Sequence, residues 1–111
     1  ATATCNSPSS SAFNLPRGPA LKARWDLIPM GTNVLVTHGP PRGVLDRTCH
    51  GEHAGCDDLR AAIERVRPRL HVFGHIHEGY GECEQAGTRS VNASICTLGY
   101  EQTNRALVVD L

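Results

Sequence analysis

The sequence predicts a single α/β domain in which a mixed β-sheet is covered by helices. The chain has 111 residues, which is enough for one small domain. Hydrophobic residues make up 40% of it, a share typical of globular proteins. Short apolar runs alternate along the chain with segments of helical periodicity, and this alternation is typical of layered α/β folds.

The first predicted element is a helix that begins at Pro19. Proline suits the first helical position because its missing N–H would have no partner there. Leu21, Trp25 and Ile28 follow at helical spacing and form one apolar stripe. Pro29 ends the helix. We expect Trp25, the only tryptophan, to anchor this helix on the core.

The first predicted strand lies within Asn33–Thr37, which contains the apolar run Val34–Val36. Continuous apolarity over so few residues favours a central strand that is buried on both faces. The strand ends at His38–Pro41, where two prolines prevent further sheet pairing. Residues 42–55 follow as a loop that is rich in glycine, histidine and charge.

A second helix is predicted from the apolar stripe of Leu59, Ala62, Ile63 and Val66. Asp57 and Asp58 occupy its first turn, where negative charge complements the helix dipole, and Pro68 stops it. A strand follows at Leu70–Phe73 and, like the first, ends in a turn of glycine and histidine.

Glycines then mark a long loop, and the sequence predicts two last strands, Ser90–Thr97 and Ala106–Leu111. These two strands could pair as a hairpin across residues 98–105. The sheet is therefore expected to be mixed.

Charge and composition exclude several classes of partner. Acidic and basic residues balance at 11 each, so no field gathers nucleic acid or an anionic membrane. No apolar run approaches the ~20 residues that span a bilayer. The five cysteines are odd in number, lack a Cys-x-x-Cys pair and follow no secretory signal. We therefore expect free thiols and a cytoplasmic protein.

Three histidines carry the clearest chemistry. His38 follows the first predicted strand, and His75 and His77 follow the second. Ligands of α/β sheets bind outside the carboxyl ends of the strands, and imidazole is a good ligand for Zn, Fe, Mn or Ni. The pattern favours a metal site. The alternative is a non-catalytic α/β interaction domain with vestigial histidines.

A second alternative is a structural zinc in the loop at residues 49–56. Cys49, His50, His53 and Cys56 lie there at spacings that could hold such an ion.

The residues around these histidines resemble a known family. Thr37-His38-Gly39 and Gly74-His75-Ile76-His77 are similar to the last two of five motif blocks in the calcineurin-like metallophosphoesterases. The likeness is closest to the subgroup of metallophosphoesterase-domain-containing proteins and runs from Phe13 to Leu111. Further blocks that carry it are Phe13–Gly18, Trp25–Pro29, His71–Gly81 and Asn92–Ser94.

The resemblance implies an αββα sandwich with two divalent ions, Mn, Fe or Zn, at the strand tips. It implies that His38 and His75 share one ion and that His77 binds the other. The implied substrate is small and phosphorylated, a phosphoester or a phosphodiester such as a cyclic nucleotide. Arg17 and Asn92 lie in the subgroup blocks, where they could contact substrate phosphate or stabilise a turn.

The family's first three blocks, Asp-x-His, Gly-Asp and Gly-Asn-His, are absent from the sequence. They supply the bridging carboxylate and the acid–base histidine, so no catalytic residue is assigned here. We expect residues 13–111 to be the C-terminal part of a longer hydrolase domain, inactive without its N-terminal half, and residues 1–12 to be a loop or frayed segment. The missing initiator Met suggests a processed or truncated chain.

Overall fold

The computed structural model describes residues 19–94 and 104–110. The predicted segment 1–12 lies outside these residues. So do residues 98–103 of the predicted hairpin loop. The elements in chain order are α1 (Pro19–Asp26), β1 (Val34–Val36), α2 (Asp57–Val66), β2 (Leu70–Phe73), a 3₁₀ turn (His77–Gly79), β3 (Gly81–Gln85) and β4 (Thr88–Asn92).

The strands form one four-stranded sheet in the order β1-β2-β4-β3. β1, β2 and β4 are parallel, whereas β3 pairs with β4 as an antiparallel hairpin. Ala86 and Gly87 connect β3 to β4, and both have a positive φ, as tight hairpin turns require. The predicted mixed α/β fold is confirmed. Its antiparallel pair comes from β3 and β4.

Three predictions about the last part of the chain are corrected. β3 lies in the predicted loop, because its sequence Gly-Glu-Cys-Glu-Gln carries no apolar alternation and the strand pairs at the edge of the sheet. β4 begins at Thr88, two residues before the predicted start, and ends at Asn92. Residues 106–110 are not in a strand. Apolar composition makes a strand only where a neighbouring backbone can pair.

β1 is the edge strand of the described sheet, and the prediction that it is central and buried on both faces is wrong. Leu35 is 4% exposed, but Val34 and Val36 on either side are 42% and 55% exposed. An apolar run shows that a strand can be buried on both faces. Whether it is buried depends on which elements cover it.

The core lies between the two helices and the face of β1 that carries Leu35. Trp25 is fully buried in it, which confirms its predicted role. Arg65 of α2 donates hydrogen bonds to the carbonyl oxygens of Trp25 and Ile28, both at 3.3 Å, and so ties the end of α1 to α2. The other core residues are Leu21, Leu59, Ala62 and Val66, with Cys56.

The caps of α2 explain its bounds. The Cys56 sulfur accepts a hydrogen bond from Leu59 N at the first turn, and Arg67 ends the helix in the left-handed conformation ahead of Pro68. Cys49 and Cys83 are free thiols, but Cys56 is disulfide-bonded, so the free-thiol prediction is wrong at that position. No helix within residues 19–94 and 104–110 is long and apolar enough to cross a bilayer.

Candidate metal site

The sheet brings His38 and His75 together. β1 and β2 are parallel neighbours, so their carboxyl ends meet at one edge of the sheet, and each histidine follows one of these ends. His38 Nε2 lies 2.9 Å from His75 Nδ1, and the two rings are tilted by 48° with their centroids 4.6 Å apart. Gly74 N donates to the His38 carbonyl oxygen at 2.9 Å, which ties the two turns together.

The backbone after β2 turns sharply at His75. This residue has φ +68°, a left-handed conformation that L-residues other than glycine adopt at a cost of about 1–2 kcal/mol. Ile76 N donates to the Gly74 carbonyl oxygen at 2.8 Å and closes the turn around it. Strain of this kind concentrates at functional sites, where the surrounding structure enforces it.

The surroundings of His75 favour its neutral form. Burial lowers the pKa of His75, and positive charge on His38 and His77 lowers it further. A neutral imidazole keeps the lone pair that a metal ion needs. His77 begins the 3₁₀ turn and is half-buried. In the described part of the chain no three side chains form a ligand group, so His77 does not complete the pair into a triad.

The spacing of the pair suits a shared metal ion. An ion about 2.1 Å from two imidazole nitrogens separates them by about 3.0 Å in octahedral geometry and about 3.4 Å in tetrahedral geometry. The observed 2.9 Å between His38 Nε2 and His75 Nδ1 is close to the octahedral value. Two imidazoles fill only part of one coordination sphere.

A buried pair of polar residues supports the turn that carries His38. The Thr37 hydroxyl donates to the Gly39 carbonyl oxygen at 2.8 Å and lies 2.9 Å from His71 Nε2. The hydroxyl has one hydrogen, so Nε2 of His71 must be the donor to its oxygen. Burial lowers the pKa of His71 to about 3, which keeps the ring neutral, and its Nδ1 is buried without a hydrogen-bond partner.

Asn92 has the turn-stabilising role rather than an open position for substrate. It is fully buried. Its amide nitrogen donates to the carbonyl oxygens of Leu45 at 3.0 Å and Ile76 at 2.8 Å. Its amide oxygen accepts from Ser94 N at 3.1 Å. Both amide hydrogens are thus in use, so the predicted substrate contact is replaced by one that holds two loops together. Arg17 lies outside the described residues.

The loop at residues 42–55, here called the tongue, is built around Asp46, which the sequence analysis did not single out. The Asp46 carboxylate accepts hydrogen bonds from Gly43 N and Gly55 N at 2.9 Å and lies 2.7 Å from His53 Nδ1. Burial alone would raise the pKa of Asp46, but these hydrogen bonds outweigh it and lower the pKa. Asp46 and His53 are seven residues apart in a loop, with no periodicity to mark them.

The tongue does not form the alternative zinc site. The Cys56 sulfur is in a disulfide and caps α2, so it is not a thiolate ligand. His53 Nδ1 faces Asp46. Cys49 is exposed, and its backbone N–H donates to Glu78 Oε2 at 2.8 Å.

Several known proteins are similar to this chain. No protein-family model matches the chain. The chain is 52% identical over 101 residues to metallophosphoesterase domain-containing protein 1 of Homo sapiens and of Mus musculus, a match that covers 89% of the chain and 31% of each relative. It is 44% identical to the UPF0046 protein T07D4.2 of Caenorhabditis elegans, covering 90% of the chain and 26% of that protein.

A solved crystal structure matches 83% of the chain and 37% of its own length, at 26% identity and a TM-score of 0.55. The chain spans about a third of the length of the curated relatives it matches. These relatives are 44–52% identical over about nine-tenths of the chain, so the chain belongs to the family of metallophosphoesterase-domain-containing proteins.

Proposed function

We propose that this chain is part of a metal-dependent phosphoesterase and supplies the histidine side of a two-metal site. The observation that carries the proposal is the 2.9 Å contact between His38 and His75 at adjacent strand ends. The names of the relatives support the same class of enzyme. His38 and His75 would hold one ion, and His77, on the next turn, would hold the second.

Two divalent ions, Mn, Fe or Zn, would polarise a phosphate and supply hydroxide at neutral pH. The chain's own residues hold the ligands in place. The bonds among Thr37, Gly39 and His71 fix the turn of His38, and those of Asn92 and Ser94 fix the loops beside His75. The carboxylates that balance two dications would come from the rest of the protein.

The proposed substrate is a small phosphoester or phosphodiester, including cyclic nucleotides. The net charge of zero gives no reason to expect a nucleic-acid polymer as substrate. The substrate class follows from the resemblance alone.

Metal binding and hydrolysis by the full-length protein test the proposal. We expect Mn²⁺-dependent hydrolysis of bis(p-nitrophenyl) phosphate by that protein and none by the 111-residue chain alone. His38→Ala or His75→Ala should each weaken Mn²⁺ binding at least about 100-fold. Removing a residue that only hydrogen-bonds to a metal ligand already lowers metal affinity about 10–100-fold. Calorimetric titration measures the affinity.

The matched control is His50→Ala, which removes an exposed imidazole from the tongue. It should bind Mn²⁺ like the wild type. Unchanged binding in both the His38 and His75 variants would contradict the proposal and favour vestigial histidines. Turnover by the isolated chain would contradict the need for a second half.

A further inference from the structure

We propose that a cavity between α2 and the β3–β4 hairpin is a second binding site, for a small neutral ring molecule that carries a hydroxyl group. None of the proposed metal ligands lines this cavity. The inference therefore goes beyond the proposed function and does not depend on it.

The size and walls of the cavity suit one six-membered ring. Its volume is about 140 Å³. Ile63 of α2 forms one wall, Val44 of the tongue forms another, and Ala86 of the hairpin turn forms a third. Thr88 and Ser90 of β4 form the floor. A cavity of about 150 Å³ is large enough to hold benzene, so a ring of that size fits here.

The floor of the cavity offers a hydrogen bond. Thr88 and Ser90 alternate along β4, so their side chains point to the same face of the sheet. Ser90 is in register with His71 and through it with Leu35, so this is the face that packs on the helices. Thr88 is 2% exposed, and its hydroxyl is buried without a hydrogen-bond partner. A buried hydroxyl without a partner is unfavourable, and a ligand that hydrogen-bonds to it removes this cost.

The charged residues that line the cavity are already paired. Arg60 and Glu64 of α2 lie 3.1 Å apart, from Nε to Oε1. Arg60 Nη1 also donates to the Arg42 carbonyl oxygen at 3.3 Å. A charged ligand would find no unpaired opposite charge among the described lining residues, and burying an unpaired charge is costly. The lining therefore favours a neutral ligand.

The tongue is held in place beside the cavity, so a small movement cannot close the space. Val44 N donates to the Pro41 carbonyl oxygen at 3.3 Å. The next residue, Leu45, is fixed through its carbonyl oxygen, which accepts from Asn92 at 3.0 Å. Gly79 lies so close to this oxygen that a Cβ there would overlap it. The wall at Val44 thus stays apart from β4.

Phenol and toluene test the proposal in the full-length protein. The two molecules have nearly the same shape, but only phenol can hydrogen-bond to the Thr88 hydroxyl. In an NMR titration we expect phenol to cause saturable shifts at the amides of Ile63, Ala86 and Thr88. The ratio of phenol affinity to toluene affinity then measures the contribution of the hydroxyl.

Thr88→Val removes the hydroxyl and keeps the β-branched shape. It should lower the ratio of phenol affinity to toluene affinity by about 3–10-fold, as expected for the loss of one hydrogen bond. Thr88→Ser keeps the hydroxyl and should keep the wild-type ratio. Thr32→Val is the matched control, since Thr32 lies outside the cavity and its hydroxyl donates to the Pro29 carbonyl oxygen. It should match the wild type with both molecules.

Three results would overturn the inference. The first is no saturable shift with either molecule, which would show that water or the rest of the protein fills the cavity. The second is an unchanged affinity ratio in Thr88→Val. The third is saturable binding whose shifts fall only on amides away from the cavity.

Discussion

The two faces of β1 differ sharply in burial. Leu35 faces the helices and lies in a closed apolar core. Val34 and Val36 face the other way and are largely exposed. Successive residues of a strand point to opposite faces, so one strand is a core element on one side and an open surface on the other.

The strand register relates each face of β1 to the rest of the sheet. His71 of β2 pairs with Leu35, and Ser90 of β4 pairs with His71, so the covered face changes from apolar to polar towards β4. On the other face Val72 pairs with Val36 and continues an apolar row, but Val72 is half-buried and Val91, next in the row, is buried, so this face is open at β1. The covered face thus supplies the buried polar bonds that position the site. The open face is suited to covering by further structure, as the proposed two-layer sandwich requires.

Shortening one side chain on each face of β1 should give the largest difference in unfolding free energy. Leu35→Ala removes a buried side chain, and we expect it to lower the free energy of unfolding by about 2–5 kcal/mol. Val36→Ala removes two methyl groups from a side chain that is already exposed, so the free energy of unfolding should change by no more than about 0.5 kcal/mol. Urea unfolding of the isolated chain measures both. Equal losses would show that the open face is also closed in solution.

Acid should lower the stability of the fold through His71, which lies on the covered face. Its pKa of about 3 in the folded state lies below the ordinary value of 6.5, so the unfolded state binds more protons. The stability is therefore fully present above pH 6.5 and is lost as the pH falls towards 3, by a few kcal/mol. Thermal unfolding between pH 7 and 4 follows the loss.

His71→Gln removes the titrating group, so its stability should depend less on pH across that window. His50→Gln, at an exposed site, should keep the wild-type slope. A wild-type slope in the His71 variant would assign the acid sensitivity to other groups.

The smallest expected effect concerns association through the open face. Exposed valine side chains on one face of a strand can associate with apolar surface on another chain, and a lysine there opposes this. We expect the isolated chain to associate with rising concentration and Val36→Lys to reduce this, with little change in unfolding free energy. Sedimentation velocity measures it, with Val108→Lys, an exposed residue outside the strands, as control. A chain that stays monomeric throughout would contradict the open-face description.

Local signals predicted most of the helical and parallel part of the fold. α2 was predicted with Asp57 in its first turn and Pro68 after its end, and the structure agrees, because both residues act on their own turns. β2 was predicted with its observed bounds. β3 was missed because its pairing depends on the backbone of β4 rather than on its own side chains. The edge position of β1 was missed because it depends on which neighbours are present.

The candidate site divides in the same way. The pairing of His38 with His75 followed from two strands that each end in histidine and glycine, and the structure places these side chains together. Their role as ligands stays a prediction. Asp46 could not be found from the sequence, because its three hydrogen bonds come from residues that only the folded tongue brings together. Asn92 was noticed, but its burial depends on contacts with distant loops.

The close packing of Gly79 against the Leu45 carbonyl also limits how this loop can vary in length. An inserted residue near Leu45 would have to move the turn of His77 with it. The far end of the tongue is different, because Thr48–Gly51 forms its own turn and His50, Gly51 and Glu52 are exposed. Exposed loop tips tolerate insertion best, so changes in loop length should be accommodated there.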